Sequence, residues 1–161
     1  MKIRKATKKD IESLVKIWIE FENSQDKYKS AKQIKEFEAM GKNPENWMRK
    51  ELLRILKLKK SEIFVAELDK KIVGYSSISI GSKSPIEKIK RFGRIHYIYV
   101  HSKFRKKGIG LALMKEAKKW FKKQKVKYIS LAVMHNNSKA KNLYKKFGFV
   151  NKTISMVAKL K

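Results

Sequence analysis

Cysteine is absent from this 161-residue chain. That excludes a disulfide scaffold, a cysteine nucleophile and a thiolate metal site. Long apolar runs are missing as well. Ile63–Ala66, Leu111–Met114 and Leu131–Met134 are the longest, at four residues each, whereas a bilayer-spanning helix needs about 20. Met1–Arg4 is charged and no apolar segment follows it, so no secretory signal is expected. The three histidines have no metal-ligand spacing, and no metal site is expected. Together these absences predict a cytoplasmic protein with no membrane segment.

Acidic residues are scarce in the second half. Residues 88–161 carry 22 basic side chains and one acidic, Glu116, in a chain of net charge +28. So basic a half-chain attracts polyanions: nucleotides, nucleic acid or anionic lipid. Arginine is scarce too, at 6 residues against 36 lysines. Arginine is the better fork for phosphate and guanine, so the lysine bias also fits a plainly solvated surface. Both readings stay open, and weak nucleic-acid association is one expectation.

What is present argues for a packed fold. Hydrophobic residues make up 42% of the chain and recur with regular periods. The length suits one domain, residues 1–161, large enough to bury a core. The pattern predicts a strand at 3–6 and helices near 8–22, 31–40 and 47–58, with Gly41–Pro44 as a stop between the last two. Two strands at 62–68 and 71–80 read as a hairpin joined at Asp69-Lys70. A charged loop at 81–91, a strand at 93–101, a helix at 109–123, a strand at 127–134 and a helix at 136–147 follow. Residues 149–160 have strand character. This is an α+β or mixed α/β fold.

Two stretches carry chemistry. In the first, the strand ending at Val100 runs into Arg105-x-x-Gly108-x-Gly110, where a helix begins. A helix start offers unsatisfied backbone N–H groups and a positive dipole end. The glycines allow close approach of a ligand, and Arg105, Lys106 and Lys107 add charge, which together makes a pyrophosphate cradle. The plainer reading is a basic turn that needs glycine for its geometry. The second stretch is Asn137-x-x-Ala140-x-x-Leu143-Tyr144-x-x-x-Gly148-Phe149. Here Asn137 can cap a helix, with Ala140, Leu143 and Phe147 inward and Gly148 at its end. That leaves unexplained why position 144 is tyrosine.

Taken in order, the two stretches resemble the GNAT superfamily of N-acetyltransferases. The match also takes in the opening Ile3–Asp10 and the hairpin at 62–80 with Gly74. The resemblance implies a central, mostly antiparallel sheet whose fourth and fifth strands splay apart, flanked by helices. It implies acetyl-CoA as cosubstrate and direct transfer to an amine of a peptide, protein or small molecule. Ile98, Tyr99 and Val100 would then pair with the pantetheine arm. The backbone of Arg105, Lys106, Lys107, Gly108, Ile109 and Gly110, extending to Leu111, would hold the pyrophosphate. Asn137 would reach the pantetheine, with Asn142 a weaker cofactor contact. Tyr144 would stand near the thioester sulfur as proton donor. A homodimer is compatible with the family.

The general base departs from the family pattern. Many members carry glutamate at the positions of His96 or Arg94. Arginine cannot act as a base. His96 can, with an ordinary pKa near 6.5, or it is a strand histidine without function. His101 and His135 read as surface residues. Glu20, Glu22, Asp26, Glu36 and Glu38 lie where the resemblance places the acceptor, and read either as an amine-attracting group or as helix-surface carboxylates. Trp18, Phe21, Tyr28, Phe37 and Trp47 read mostly as core, or as the lining of an acceptor pocket.

Overall fold

The computed structural model describes residues 1–29, 31–83 and 86–160. The strands are β1 (Lys2–Lys5), β2 (Ser61–Leu68), β3 (Lys71–Ser82), β4 (Arg91–Val100) and β5 (Ile129–Leu131). The helices are α1 (Ile11–Gln25), α2 (Lys32–Phe37), α3 (Pro44–Ile55), α4 (Ile109–Lys123) and α5 (Ser138–Lys146). The sheet runs β1-β2-β3-β4-β5 in space, antiparallel throughout except for the parallel pair β4–β5. This is the mixed, mostly antiparallel architecture the sequence implies.

Both faces of the sheet are covered. Leu14, Val15 and Trp18 of α1, with Met48 and Leu52 of α3, bury Ile63, Val65, Tyr75 and Tyr99. On the opposite face Leu113, Met114, Ala117 and Phe121 of α4 bury Phe64, Ala66, Ile78 and Ile95. A strand buried on both faces loses its polar alternation. Hence Ile63–Ala66 is an unbroken apolar run, with every residue buried.

Local chemistry sets the ends of the elements. Asp69 and Lys70 both have positive φ, 50° and 62°, which gives the β2–β3 hairpin the backbone twist its strands need. Asp10 accepts hydrogen bonds from the Thr7 N–H at 2.7 Å and from two Arg4 nitrogens, each at 2.8 Å, and so ties β1 to the start of α1. Pro44 does not stop a helix as expected but begins α3. Its ring suits the first helical position, where an N–H has no partner to lose.

The strands of the second half differ from expectation. β5 is three residues rather than eight, because its pairing with β4 stops at Ile95–Leu131. Residues 149–160 form no strand. Strand propensity needs a partner edge, and β5, the edge strand beyond β4 among the described residues, is three residues long. The segment instead exposes Val150, Ile154, Met156 and Leu160, and Lys159 pairs with Glu36 at 2.7 Å. Leu143, expected inward, is 45% exposed. Neither Phe37 nor Trp47 belongs to the core, at 73% and 58% exposed.

One irregularity decides the geometry of the site. Ser77 of β3 stands opposite Tyr97, while the next residue, Ile78, stands opposite Ile95. His96 is therefore a bulge residue with no partner. A bulge reverses the inward–outward alternation. Ile95 accordingly packs towards α4, whereas Tyr97 and Tyr99 pack towards α1.

Candidate functional site

The opening between β4 and β5 is the central feature. Gly93, Arg94 and Ile95 pair with Ile129, Ser130 and Leu131, and there the parallel pairing ends. Beyond the bulge, Tyr97 to Val100 are paired with β3 on one side only. The other edge of this stretch is open. It holds Ile98, Tyr99 and Val100, the residues expected to meet an extended ligand. Gly93, where the strands still touch, has no room for a side chain: a Cβ there would lie 2.5 Å from Phe121 Cε1.

The open edge leads into the glycine loop. After Val100 the chain makes one tight turn at Ser102–Phe104 and reaches Gly108, which has φ 74° and precedes α4. Lys106 also has positive φ, 63°. The N–H groups of Ile109, Gly110 and Leu111 open the helix and find no partner within it. Ile109 is buried and anchors the helix start, whereas Arg105, Lys106, Lys107 and Gly108 are exposed. Successive free amides, a helix dipole and three cations fit a pyrophosphate. The Arg105 side chain, however, is folded back onto its own strand. Its Nε donates to the Val100 carbonyl at 2.9 Å, and its guanidinium lies 4.9 Å from the Tyr99 ring centroid.

α5 brings the second motif to the same face. Tyr144 packs against the α4-side cluster together with Ile98, Val100 and Phe104. Its ring meets Phe149 edge-on at 5.9 Å. Burial raises its phenol pKa, so it stays protonated at neutral pH. Asn137 caps α5, its Oδ1 accepting from the Ala140 N–H at 3.1 Å. That bond uses the side chain the resemblance assigns to a ligand, although Nδ2 is left over. Asn142 is exposed on α5.

The α1 face holds the remaining candidates. The His96 imidazole lies 2.7 Å from Ser79 Oγ. Its pKa is lowered by partial burial and by Arg94, with Glu51 opposing. Glu20 accepts from the Tyr99 hydroxyl at 3.0 Å and from the Ser102 N–H at 3.1 Å, with His101 Nε2 at 3.3 Å. Burial opposes its ionisation, but these partners hold its pKa below the usual carboxylate value. Burial raises the pKa of Glu22. Asp26 pairs with Lys29 and Glu36 with Lys159. Tyr75 and Tyr97 stand in this region too, and sequence reasoning misses both. The alternation Tyr97-Ile98-Tyr99-Val100 is a signal for Tyr97, whereas nothing in the sequence distinguishes Tyr75. Among the described residues no cluster of three His, Asp or Glu side chains is placed to hold a metal ion, and no helix is long and apolar enough to cross a membrane.

Comparison with known proteins gives this geometry its context. An uncharacterized N-acetyltransferase of Methanocaldococcus jannaschii is 30% identical over 152 residues, covering 94% of this chain and 62% of that protein. The chain thus spans less than two thirds of that relative's length. A Bacillus halodurans protein, solved as a tetramutant, superposes with a TM-score of 0.83 at 21% identity, over 99% of this chain and 100% of that one. A Clostridium acetobutylicum structure, described as a predicted acetyltransferase with acetyl-CoA, superposes with a TM-score of 0.74 at 20% identity, over 98% and 95%. At these identities the structural likeness establishes the fold. The model of the acetyltransferase (GNAT) family matches residues 20–149, from the end of α1 through Phe149. The open β4 edge, the glycine loop and the tyrosine helix all fall inside that match, and the chain belongs to the GNAT acetyltransferase family.

Proposed function

We propose that residues 1–161 act as one catalytic domain that transfers the acetyl group of acetyl-CoA directly to a primary amine. The observation that carries this reading is the β4 edge. It is open from the bulge to Val100 and runs straight into the free amides at the start of α4. An extended thioester cosubstrate needs such a site: a strand edge for its amide-bearing arm and an anion cradle for its pyrophosphate. The family match, and the acetyl-CoA that accompanies the similar Clostridium acetyltransferase, support the same ligand.

Acetyl-CoA supplies an activated acetyl group and a thiol leaving group. Ile98, Tyr99 and Val100 present the backbone that aligns it. The amides from Lys106 to Leu111 hold its phosphates, with Arg105, Lys106 and Lys107 supplying charge. Tyr144 donates a proton to the departing sulfur, which a neutral phenol can do. Most of the rate comes from holding amine and thioester together. Two groups on the α1 face are able to take the amine's proton, His96 and Glu22. The acceptor class is a peptide, a protein or a small amine.

The test is calorimetric titration with acetyl-CoA at near-physiological and at raised salt, followed by amine-dependent thiol release. Binding that persists at raised salt, with thiol release on adding amine, is expected. No binding at either salt overturns the reading.

A second reading has its own observation. None of the lysines from Lys103 to Lys152 appears in an ion pair among the described residues. A surface so uncompensated suits nucleic acid, in association with the transfer activity or in place of it. Its mark is RNA affinity that falls steeply with salt. RNA that fails to bind even at low salt removes it.

A further inference from the structure

All five strands have one end on the same side of the molecule, away from the glycine loop. There Lys5 of β1 pairs with Phe64 of β2, Ser61 of β2 with Ser79 of β3, Ser82 of β3 with Arg91 of β4, and Gly93 of β4 with Ile129 of β5. The connections at residues 6–10, 56–60, 83–90 and 124–128 therefore gather at that end. β4 runs its 10 residues from there to Val100, so about 30 Å of strand separates this end from the glycine loop.

These connections hold ten lysines and two acidic residues, Asp10 and Glu87. Both acids are taken, Asp10 by Arg4 and Glu87 by Lys83. The other nine lysines form no ion pair among the described residues. With strands about 4.8 Å apart, the charge makes a row roughly 19 Å long across the end of the sheet. One end of the row is aromatic. The register that pairs Gly93 with Ile129 sets Phe92 beside Tyr128. Gly93 and Ile129 face α4, so Phe92 and Tyr128 stand on the other face. The Arg94 guanidinium lies 5.4 Å from the Phe92 ring centroid. Tyr128 is 61% exposed, while its carbonyl is fixed by the Gly93 N–H at 2.8 Å. A positive row tracks a chain of phosphates, and an exposed phenol and a guanidinium plane stack on unpaired bases. A bilayer surface asks instead for a continuous apolar face. Among the described residues, the large apolar side chains exposed here are Leu58, Ile86 and Tyr128, one on each of three connections.

We propose that this end of the sheet is a docking surface for single-stranded RNA, with the lysine row on the phosphates and Tyr128 and Arg94 stacked on bases. The proposal rests on the nucleic-acid reading above and gives it a place. It has two physical consequences. Lysines displace counterions from the phosphates, so affinity falls as salt rises. The row also stands a strand's length from the glycine loop, so RNA and acetyl-CoA occupy the molecule together rather than in competition.

The test is fluorescence anisotropy with a labelled oligouridine of about 12 nucleotides, from about 50 to about 200 mM salt. Two variants of equal net charge are compared. One carries Lys59→Glu, Lys88→Glu, Lys123→Glu and Lys127→Glu, at exposed positions of the row. The other carries Lys32→Glu, Lys35→Glu, Lys71→Glu and Lys139→Glu, at exposed positions away from it. The first should bind about tenfold or more weakly than the second, with a salt slope lower by about 2–3. Tyr128→Ala should lose about fivefold or more in affinity at an unchanged salt slope, since it removes stacking and no charge. In wild type, which needs no variant to fold, 4-thiouridine crosslinks should map to the peptides holding Phe92 and Tyr128, and added coenzyme A should leave RNA bound. Equal loss in the two quadruple variants overturns the docking surface and leaves the general nucleic-acid reading standing. Crosslinks confined to the glycine loop, or displacement of RNA by coenzyme A, do the same. RNA that fails to bind even at low salt overturns both. Phosphatidylserine vesicles that bind through the row while RNA does not would assign it to a membrane surface instead.

Discussion

The Tyr99 hydroxyl donates to Glu20 at 3.0 Å, and this bond fastens the end of α1 to the last turn of β4. The same ring carries the Arg105 guanidinium at 4.9 Å. One tyrosine thus links α1 to the loop that opens α4. Tyr99→Phe removes the hydrogen bond and keeps the stacking. The expected cost is about 1 kcal/mol, a fall of roughly 2–4 °C in Tm for a domain of this size. Thermal unfolding followed by circular dichroism measures it, and an unchanged Tm would show that the bond contributes nothing net.

Gly93→Ala should destabilise by overpacking. The new methyl would sit 2.5 Å from Phe121 Cε1 and 2.8 Å from Ile129 Cγ2. Crowding of this kind costs about 1–3 kcal/mol. The double variant Gly93→Ala, Phe121→Leu should recover part of the loss, read by urea unfolding. No recovery would mean that the backbone of β4, rather than Phe121, resists the methyl.

Acid should weaken the join between β1 and α1. Hydrogen bonds from Arg4, and then from Thr7, hold the Asp10 pKa at about 2, below its usual 3.8. A carboxyl depressed by folding contributes stability above its unfolded pKa and loses it as pH falls through the folded one. Asp10→Asn should therefore be less stable than wild type by up to about 2 kcal/mol at neutral pH. That difference should vanish between about pH 4 and pH 2. Paired urea titrations across this range test it, and a gap independent of pH would point to shape rather than charge.

Tyr144→Phe should lower turnover by about a hundredfold or more if the phenol supplies the leaving-group proton. Acetyl-CoA affinity should change little, because the ring and its contact with Phe149 remain. Steady-state kinetics beside calorimetry separate the two quantities. Turnover within a factor of two of wild type would remove Tyr144 from the mechanism.

The sequence announces the parts whose causes are local. The β2–β3 hairpin, the long amphipathic α4 and the glycine at its start follow from periodicity and turn chemistry within a few residues. The bulge at His96 is not legible there, because it is a property of two strands in register. Yet it alone turns Tyr97 and Tyr99 towards α1. The engagement of Glu20 is hidden for a similar reason, since its partners lie on β4 and in the turn at Ser102. The missing strand at 149–160 shows the converse. Its residues favour extended backbone, but the neighbouring edge of β5 offers only Ile129–Leu131.

That edge has a consequence for how copies of the chain behave together. The outer side of β5 has no partner strand among the described residues, and the segment after α5 exposes the apolar side chains of Val150, Ile154, Met156 and Leu160. Lys125, Lys127, Lys146 and Lys152 have no ion-pair partner among the described residues. In a chain of net charge +28, like charges keep two copies apart at low ionic strength, and salt screens that repulsion. The lysine excess then acts as a colloidal shield, and added salt has opposite signs for two kinds of company. It drives polyanions off the molecule and brings its own kind together.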